Sequence, residues 1–132
     1  MMEKIAICSN RNQLDTPHGG LDNLNLDDVL DTVTITWANN CIVTSMRLYA
    51  ENLPEVRILH NIPTRVPTAA LKFLHEVLYQ PDWILRDKFP NLVRSTAYDF
   101  GGHFAALHTP QVFAEDIFDA TVAFLEFHNA KK

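Results

Sequence analysis

Only four glycines occur in the 132 residues, and they stand as two adjacent pairs, Gly19-Gly20 and Gly101-Gly102. A dinucleotide-binding G-x-G-x-x-G, a phosphate-cradling G-x-x-x-x-G-K and an elbow of the form G-x-nucleophile-x-G need glycines at fixed short gaps. At those points the backbone turns sharply or approaches a ligand closely. None of these patterns can be drawn, so no self-contained nucleotide-binding or elbow-type hydrolase core of standard sequence is present. Cysteine is as scarce: Cys8 and Cys41 are too few for a disulfide framework and read as reduced thiols. Eleven basic against sixteen acidic residues, with no basic run longer than Lys131-Lys132, leave no footprint for a phosphate backbone, so nucleic acid is not an expected partner. No apolar run approaches the ~20 residues of a membrane span, and Met1-Met2-Glu3-Lys4-Ile5 lacks a secretory apolar region. By itself the chain reads as soluble and cytoplasmic. What remains, 47% hydrophobic and 20% charged, is ordinary globular composition for about one domain.

Punctuation divides the chain. The first 25 residues are polar and turn-rich and read as a loop or excursion. From Leu26 the apolar residues Leu26, Val29, Leu30, Val33 and Trp37 follow helical spacing, with Asn25 as N-cap and Asp27 and Asp28 in the first turn. Val33 to Trp37 also alternates as a strand would, and the longer pattern favours helix. A second helix is expected from about Cys41 to Asn52, with Arg47 and Glu51 as an i, i+4 pair, stopped by Pro54. Proline spacing rules out helix between Pro54 and Pro67, and residues 65–71 read as a short strand. Pro81 opens a short helix that Pro90 ends, and Leu92 to Tyr98 reads as a second strand. Thr109 as N-cap and Pro110 at the first position open an amphipathic helix carrying Phe113, Ile117, Ala120, Phe124 and Phe127, with Glu115 and Asp116 on its solvent side. Strand, helix, strand implies parallel pairing, and such sheets are normally larger and covered on both faces. The class is therefore α/β with an incomplete sheet.

The strongest chemical signal is Tyr98-Asp99-Phe100-Gly101-Gly102-His103-Phe104-Ala105-Ala106, after a strand and before a helix. Loops at the C-terminal ends of parallel strands carry reactive groups, and paired glycines permit turns that aim the next side chain. His103 is thus placed as a catalytic base; the plainer alternative is a packed loop histidine. The other histidines form no H-x-x-x-H or Cys/His grouping, so neither a metal nor another cofactor is expected.

The chain resembles the C-terminal part of the microsomal-type epoxide hydrolases, α/β-hydrolases that include insect enzymes acting on juvenile hormone. The likeness rests on Gly101 to Ala106 with Pro110 and Ala114-Glu115-Asp116-Ile117, on Ser45 to Asn52, and on Val66-Pro67-Thr68 leading to Glu76 and Pro81-Asp82-Trp83. It extends less specifically to residues 15–30. The resemblance implies that residues 1–62 are part of a helical cap and its return segment, and residues 63–132 the closing strand-helix-strand-helix of the core. In that family an aspartate attacks an epoxide carbon to form an ester, and a histidine oriented by an acidic residue activates water to hydrolyse it. Two cap tyrosines hold and protonate the epoxide oxygen. By the matching motifs, His103 corresponds to the base, Glu76 to its acidic partner and Tyr49 to one cap tyrosine. Each role suits its chemistry. An imidazole takes a proton near neutrality, a carboxylate fixes its tautomer, and a neutral phenol donates to a developing alkoxide. Taken without the motifs, Glu76 reads as a solvated charge and Tyr49 as core.

The family's nucleophilic aspartate, elbow, oxyanion-hole loop and second tyrosine have no counterpart among these residues. Two classes of function follow. The chain is a piece of an epoxide hydrolase, inert by itself, whose substrate in the complete enzyme is a small apolar epoxide such as juvenile hormone or a foreign compound. Alternatively, it is a short non-catalytic paralogue that binds partners through apolar surface around Trp37, Tyr49 and Phe104. The unpaired sheet edge predicts association, either with the rest of such an enzyme or with a second copy. The resemblance also implies the endoplasmic reticulum membrane as the location of the complete enzyme.

Overall fold

The computed structural model describes residues 1–130; Lys131 and Lys132 lie outside them. In chain order the elements are α1 (Met2–Asn10), a single 3-10 turn (Arg11–Gln13), α2 (Leu26–Ala38), α3 (Ile42–His60), β1 (Thr68–His75), α4 (Asp82–Lys88), β2 (Leu92–Gly102), α5 (Ala105–His108) and α6 (Pro110–Asn129). The strands pair in parallel across α4, as the strand-helix-strand pattern requires.

Local chemistry sets most of the boundaries. The Asn25 side chain accepts from the Asp27 N–H at 3.0 Å and starts α2. Asn40, at φ 48°, makes the turn into α3 in a conformation that asparagine tolerates. Strand β1 begins after Pro67, which has no N–H to offer the ladder; the Thr68 N–H, the first available, donates to Asn91 O at 2.9 Å. The strand is therefore Thr68–His75 rather than 65–71. Strand β2 runs past Tyr98 and takes in both glycines. Thr109 holds the N-cap position of α6, but its hydroxyl donates to Ala105 O at 3.2 Å instead of accepting from the helix.

Three expectations need correction. The first 25 residues are not a loop throughout, because residues 2–10 form α1 with Ile5, Ala6 and Ser9 buried at spacing that shares one helical face. Helix α3 does not stop at Pro54 but continues to His60. The described side chains of α3 are all exposed, so the carbonyl that proline leaves without a donor can be hydrated. Asp116 does not face solvent. It is buried, and its Oδ1 accepts from Arg94 Nε at 3.1 Å and Nη2 at 2.9 Å, while the same Nη2 donates to Asp119 Oδ2 at 2.9 Å. The bonded Asp116 carboxylate holds the Arg94 pKa further above its already high value. This network pins α6 near the start of β2.

Ile5, Ala6, Leu21, Leu24 and Val29 form one small core, with Phe104 and Leu107 packed against it. Phe73 on β1, Leu92 on β2 and Ala120 on α6 are buried as well. The N-terminal segment is thus tied to the end of β2, close to the loop that carries His103.

Candidate active site

Glu76 is the first residue beyond β1 and His103 the first beyond β2, so parallel pairing brings both to the same end of the sheet. The two side chains meet: His103 Nδ1 lies 2.6 Å from Glu76 Oε1. That oxygen also accepts the Val77 N–H at 2.7 Å, which orients the carboxylate. With Nδ1 facing the carboxylate as donor, Nε2 is left as the acceptor, the arrangement a water-activating imidazole needs. Phe104 meets the imidazole edge-on with ring centroids 5.3 Å apart. The pair is open, with the His103 side chain 52% exposed and that of Glu76 28%.

The backbone around His103 is tightly specified. Gly101 has φ +72°, and a Cβ there would lie 2.5 Å from the Phe73 ring. That ring stacks on Tyr98 at 5.9 Å and tilts against Phe100 at 6.4 Å. A Cβ on Gly102 would lie 2.5 Å from both Cys8 O and Ser9 O. The His103 N–H then donates to Cys8 O at 2.9 Å, and Arg11 Nη2 donates to Glu76 O at 3.0 Å. Neither partner is legible in the sequence, where residues 8–11 read as loop.

Tyr49 stands apart from this pair. It is exposed on α3, and among the described residues no hydrogen bond or ring contact joins it to Glu76 or His103.

Behind the pair, Lys72 Nζ and Ser95 Oγ both donate to Asp82 Oδ1, at 2.5 and 2.7 Å, tying α4 to the two strands. The Lys72 hydrogen bond, then that of Ser95, holds the Asp82 pKa below its usual value. His108 ends α5 with a buried Nδ1 that has no partner among the described residues. Burial first, and the charge of His75 second, lower its pKa. A histidine whose folded pKa lies below its unfolded value of about 6.5 binds its proton more readily in the unfolded chain. Stability is therefore retained above that value and lost as the pH falls below it. Denaturant midpoints from neutral pH downward should show this loss, and His108→Gln should flatten it. An unchanged slope in the variant would assign the loss to other groups.

No family model matches the sequence. Against individual proteins the likeness is extensive. Juvenile hormone epoxide hydrolase of Manduca sexta is 74% identical over 134 residues, all of this chain and 29% of that protein. Epoxide hydrolase 1 of Oryctolagus cuniculus is 34% identical over 121 residues, 89% of this chain and 27% of that protein. The crystal structure of juvenile hormone epoxide hydrolase from the silkworm Bombyx mori superposes with a TM-score of 0.89 at 36% identity, covering 96% of this chain and 31% of that one.

The chain is homologous to a C-terminal part of the epoxide hydrolases. Its fold is the matching part of the α/β-hydrolase fold. The chain spans about 29% of the length of the juvenile hormone epoxide hydrolases it matches.

Proposed function

We propose that Glu76 and His103 are the water-activating pair of an epoxide hydrolase, and that this chain contributes them to a larger catalytic unit. The observation that carries the reading is the 2.6 Å contact between His103 Nδ1 and Glu76 Oε1 at the carboxyl end of a parallel strand pair. In the proposed reaction a carboxylate outside these residues attacks one epoxide carbon and the ring C–O bond breaks. The Tyr49 phenol, as one of two donors, gives its proton to the departing oxygen. His103 then takes a proton from water, the resulting hydroxide attacks the ester carbonyl, and collapse, with the proton of the added hydroxyl passing to the leaving alkoxide, releases the diol and restores the carboxylate; the imidazolium proton returns through solvent to the Tyr49 phenolate. Glu76 stabilises the imidazolium formed in that step. The substrate class is a small apolar epoxide.

The same reading divides the chain into cap residues 1–62 and core residues 63–132. It gives the free edge of β1 to further strands of the complete sheet. It also carries a location at the endoplasmic reticulum membrane, which the likeness to microsomal-type enzymes supports. Among the described residues no helix is long and apolar enough to cross a membrane.

No aspartate in the 132 residues sits in an elbow motif, and loss of a nucleophile from a cooperative catalytic unit typically costs several orders of magnitude. The isolated chain is therefore expected to be inert. Incubation with a reactive epoxide followed by intact-mass measurement should reveal no ester adduct and no diol. A turnover-competent adduct on one of its aspartates would overturn this assignment.

A further inference from the structure

We propose that Arg11 is a positioning residue for the Glu76 and His103 pair, and that residues 8–11 fix the two loops carrying them relative to each other. The inference rests on the reading of that pair given above. It goes beyond that reading by assigning a role to a segment far away in the sequence.

Both main chains are held by this one segment. Cys8 O accepts the His103 N–H at 2.9 Å, and Arg11 Nη2 donates to Glu76 O at 3.0 Å. The segment is itself well fixed. Ser9 is 1% exposed in the last turn of α1, with its Cα against Gly102, and the Asn10 side chain accepts the Asn12 N–H at 3.1 Å to start the 3-10 turn.

The Glu76 loop has little other support. Its N–H bonds to Phe73 O at 3.2 Å and its carboxylate to the Val77 N–H at 2.7 Å, both within the same stretch of chain. Arg11 ties that stretch to the body of the protein. A contact of 2.6 Å leaves little slack, since a functional pair must be held within about 0.5 Å of its working geometry. Arg11 is exposed, so shortening it leaves no cavity and should not disturb the small core around Ile5 and Val29.

The test uses the full chain labelled with 15N in the histidine rings and 13C in the isoleucine and valine methyl groups. Magic-angle-spinning spectra read the ring whatever the state of association. His103 is assigned by the signals lost in His103→Gln. In the unsubstituted chain His103 should carry its proton on Nδ1, bonded to the carboxylate, and Glu76→Gln should remove that signature. Arg11→Met should lower the ratio of bonded to free ring about fivefold, the worth of one charge-assisted hydrogen bond at an exposed site. Arg11→Lys should restore most of it, because an ammonium can donate to the same carbonyl. The methyl signals of Ile5 and Val29 should stay unchanged.

A Glu76-dependent signature that ignores Arg11→Met would overturn the positioning role and leave the pair intact. A lysine variant that fails to restore it, or a methionine variant that loses the core methyl signals as well, would also overturn it. A signature that ignores Glu76→Gln would sink the pair itself, and the proposed function with it.

Discussion

When this chain replaces the matching segment of the silkworm enzyme, the chimera is expected to turn an epoxide into a diol, and its His103→Asn variant to stall as a covalent ester. The likeness to that structure, TM-score 0.89, makes the graft geometrically reasonable. The size of the effect follows from what His103 does in the proposed reaction. Epoxide opening needs a carboxylate and a proton donor, neither of which is His103. Hydrolysis of the ester needs hydroxide, which neutral water supplies only when a base removes its proton. Loss of a general base costs about 10²–10⁴ in rate. That step would then limit turnover and the ester would accumulate. Mass spectrometry at steady state should find the enzyme heavier by one substrate, with turnover reduced about a thousandfold. Glu76→Gln should act in the same direction with a smaller effect, because a glutamine oxygen can still accept from Nδ1 but adds no charge to stabilise the imidazolium. Full turnover in His103→Asn, or a variant that binds substrate without forming ester, would remove His103 from this role.

The architecture near this pair was legible in the sequence because its signals are local. Pro81 and Pro90 bracket α4, the strands on either side carry β-branched and aromatic residues, and Gly101-Gly102 stands just before His103. Two strands with one helix between them can pair only in parallel without a long return, and that alone sends Glu76 and His103 to one end. Asn25 gave the start of α2 for the same reason: the cap lies within two residues of the N–H it satisfies.

What could not be read depends on distant partners. Helix α1 has nine residues, too short for a pattern to stand out beside the polar turns that follow, and its stability comes from Leu21, Leu24 and Val29. Its spacing of Ile5, Ala6 and Ser9 was the available signal. Asp116 looked solvent-facing because a carboxylate usually is. It lies between Phe113 and Ala120 on the same helical face, and Arg94, 22 residues earlier on β2, makes its burial tolerable. Pro54 reads as a helix breaker, yet α3 crosses it, because the described side chains of that helix are exposed and leave the freed carbonyl open to water. The contacts of residues 8–11 with both loops join segments more than 60 residues apart, and no periodicity reports them.

Gly102→Ala is expected to be the most informative single-methyl change in the chain. Its backbone is not in the left-handed region, so the penalty is one of space alone. A Cβ would sit 2.5 Å from two carbonyl oxygens, those of Cys8 and Ser9, and 3.0 Å from Ser9 Cα. These are backbone atoms of a buried helix turn and cannot swing aside as a side chain can. Overpacking of this kind costs about 2 kcal/mol, or roughly 10 °C in Tm for a chain of this size. Gly101→Ala should cost more, since it adds a strained φ of +72° to a clash with Phe73, a ring 2% exposed and packed against Tyr98 and Phe100. Gly19→Ala, at φ +60° with open space around the new methyl, isolates the conformational cost and should fall by about 1 kcal/mol. Thermal melts of the three variants should therefore rank Gly101, Gly102, Gly19 from most to least damaging. The functional consequence separates them further. The only way for Gly102→Ala to relieve its contacts is to move β2 away from residues 8–11, which breaks the bond from the His103 N–H to Cys8 O and opens the 2.6 Å contact with Glu76. In the chimera that variant should accumulate ester as His103→Asn does, while Gly19→Ala should not. Equal melting temperatures for Gly102→Ala and the unsubstituted chain would mean that the N-terminal segment is not seated against the histidine loop.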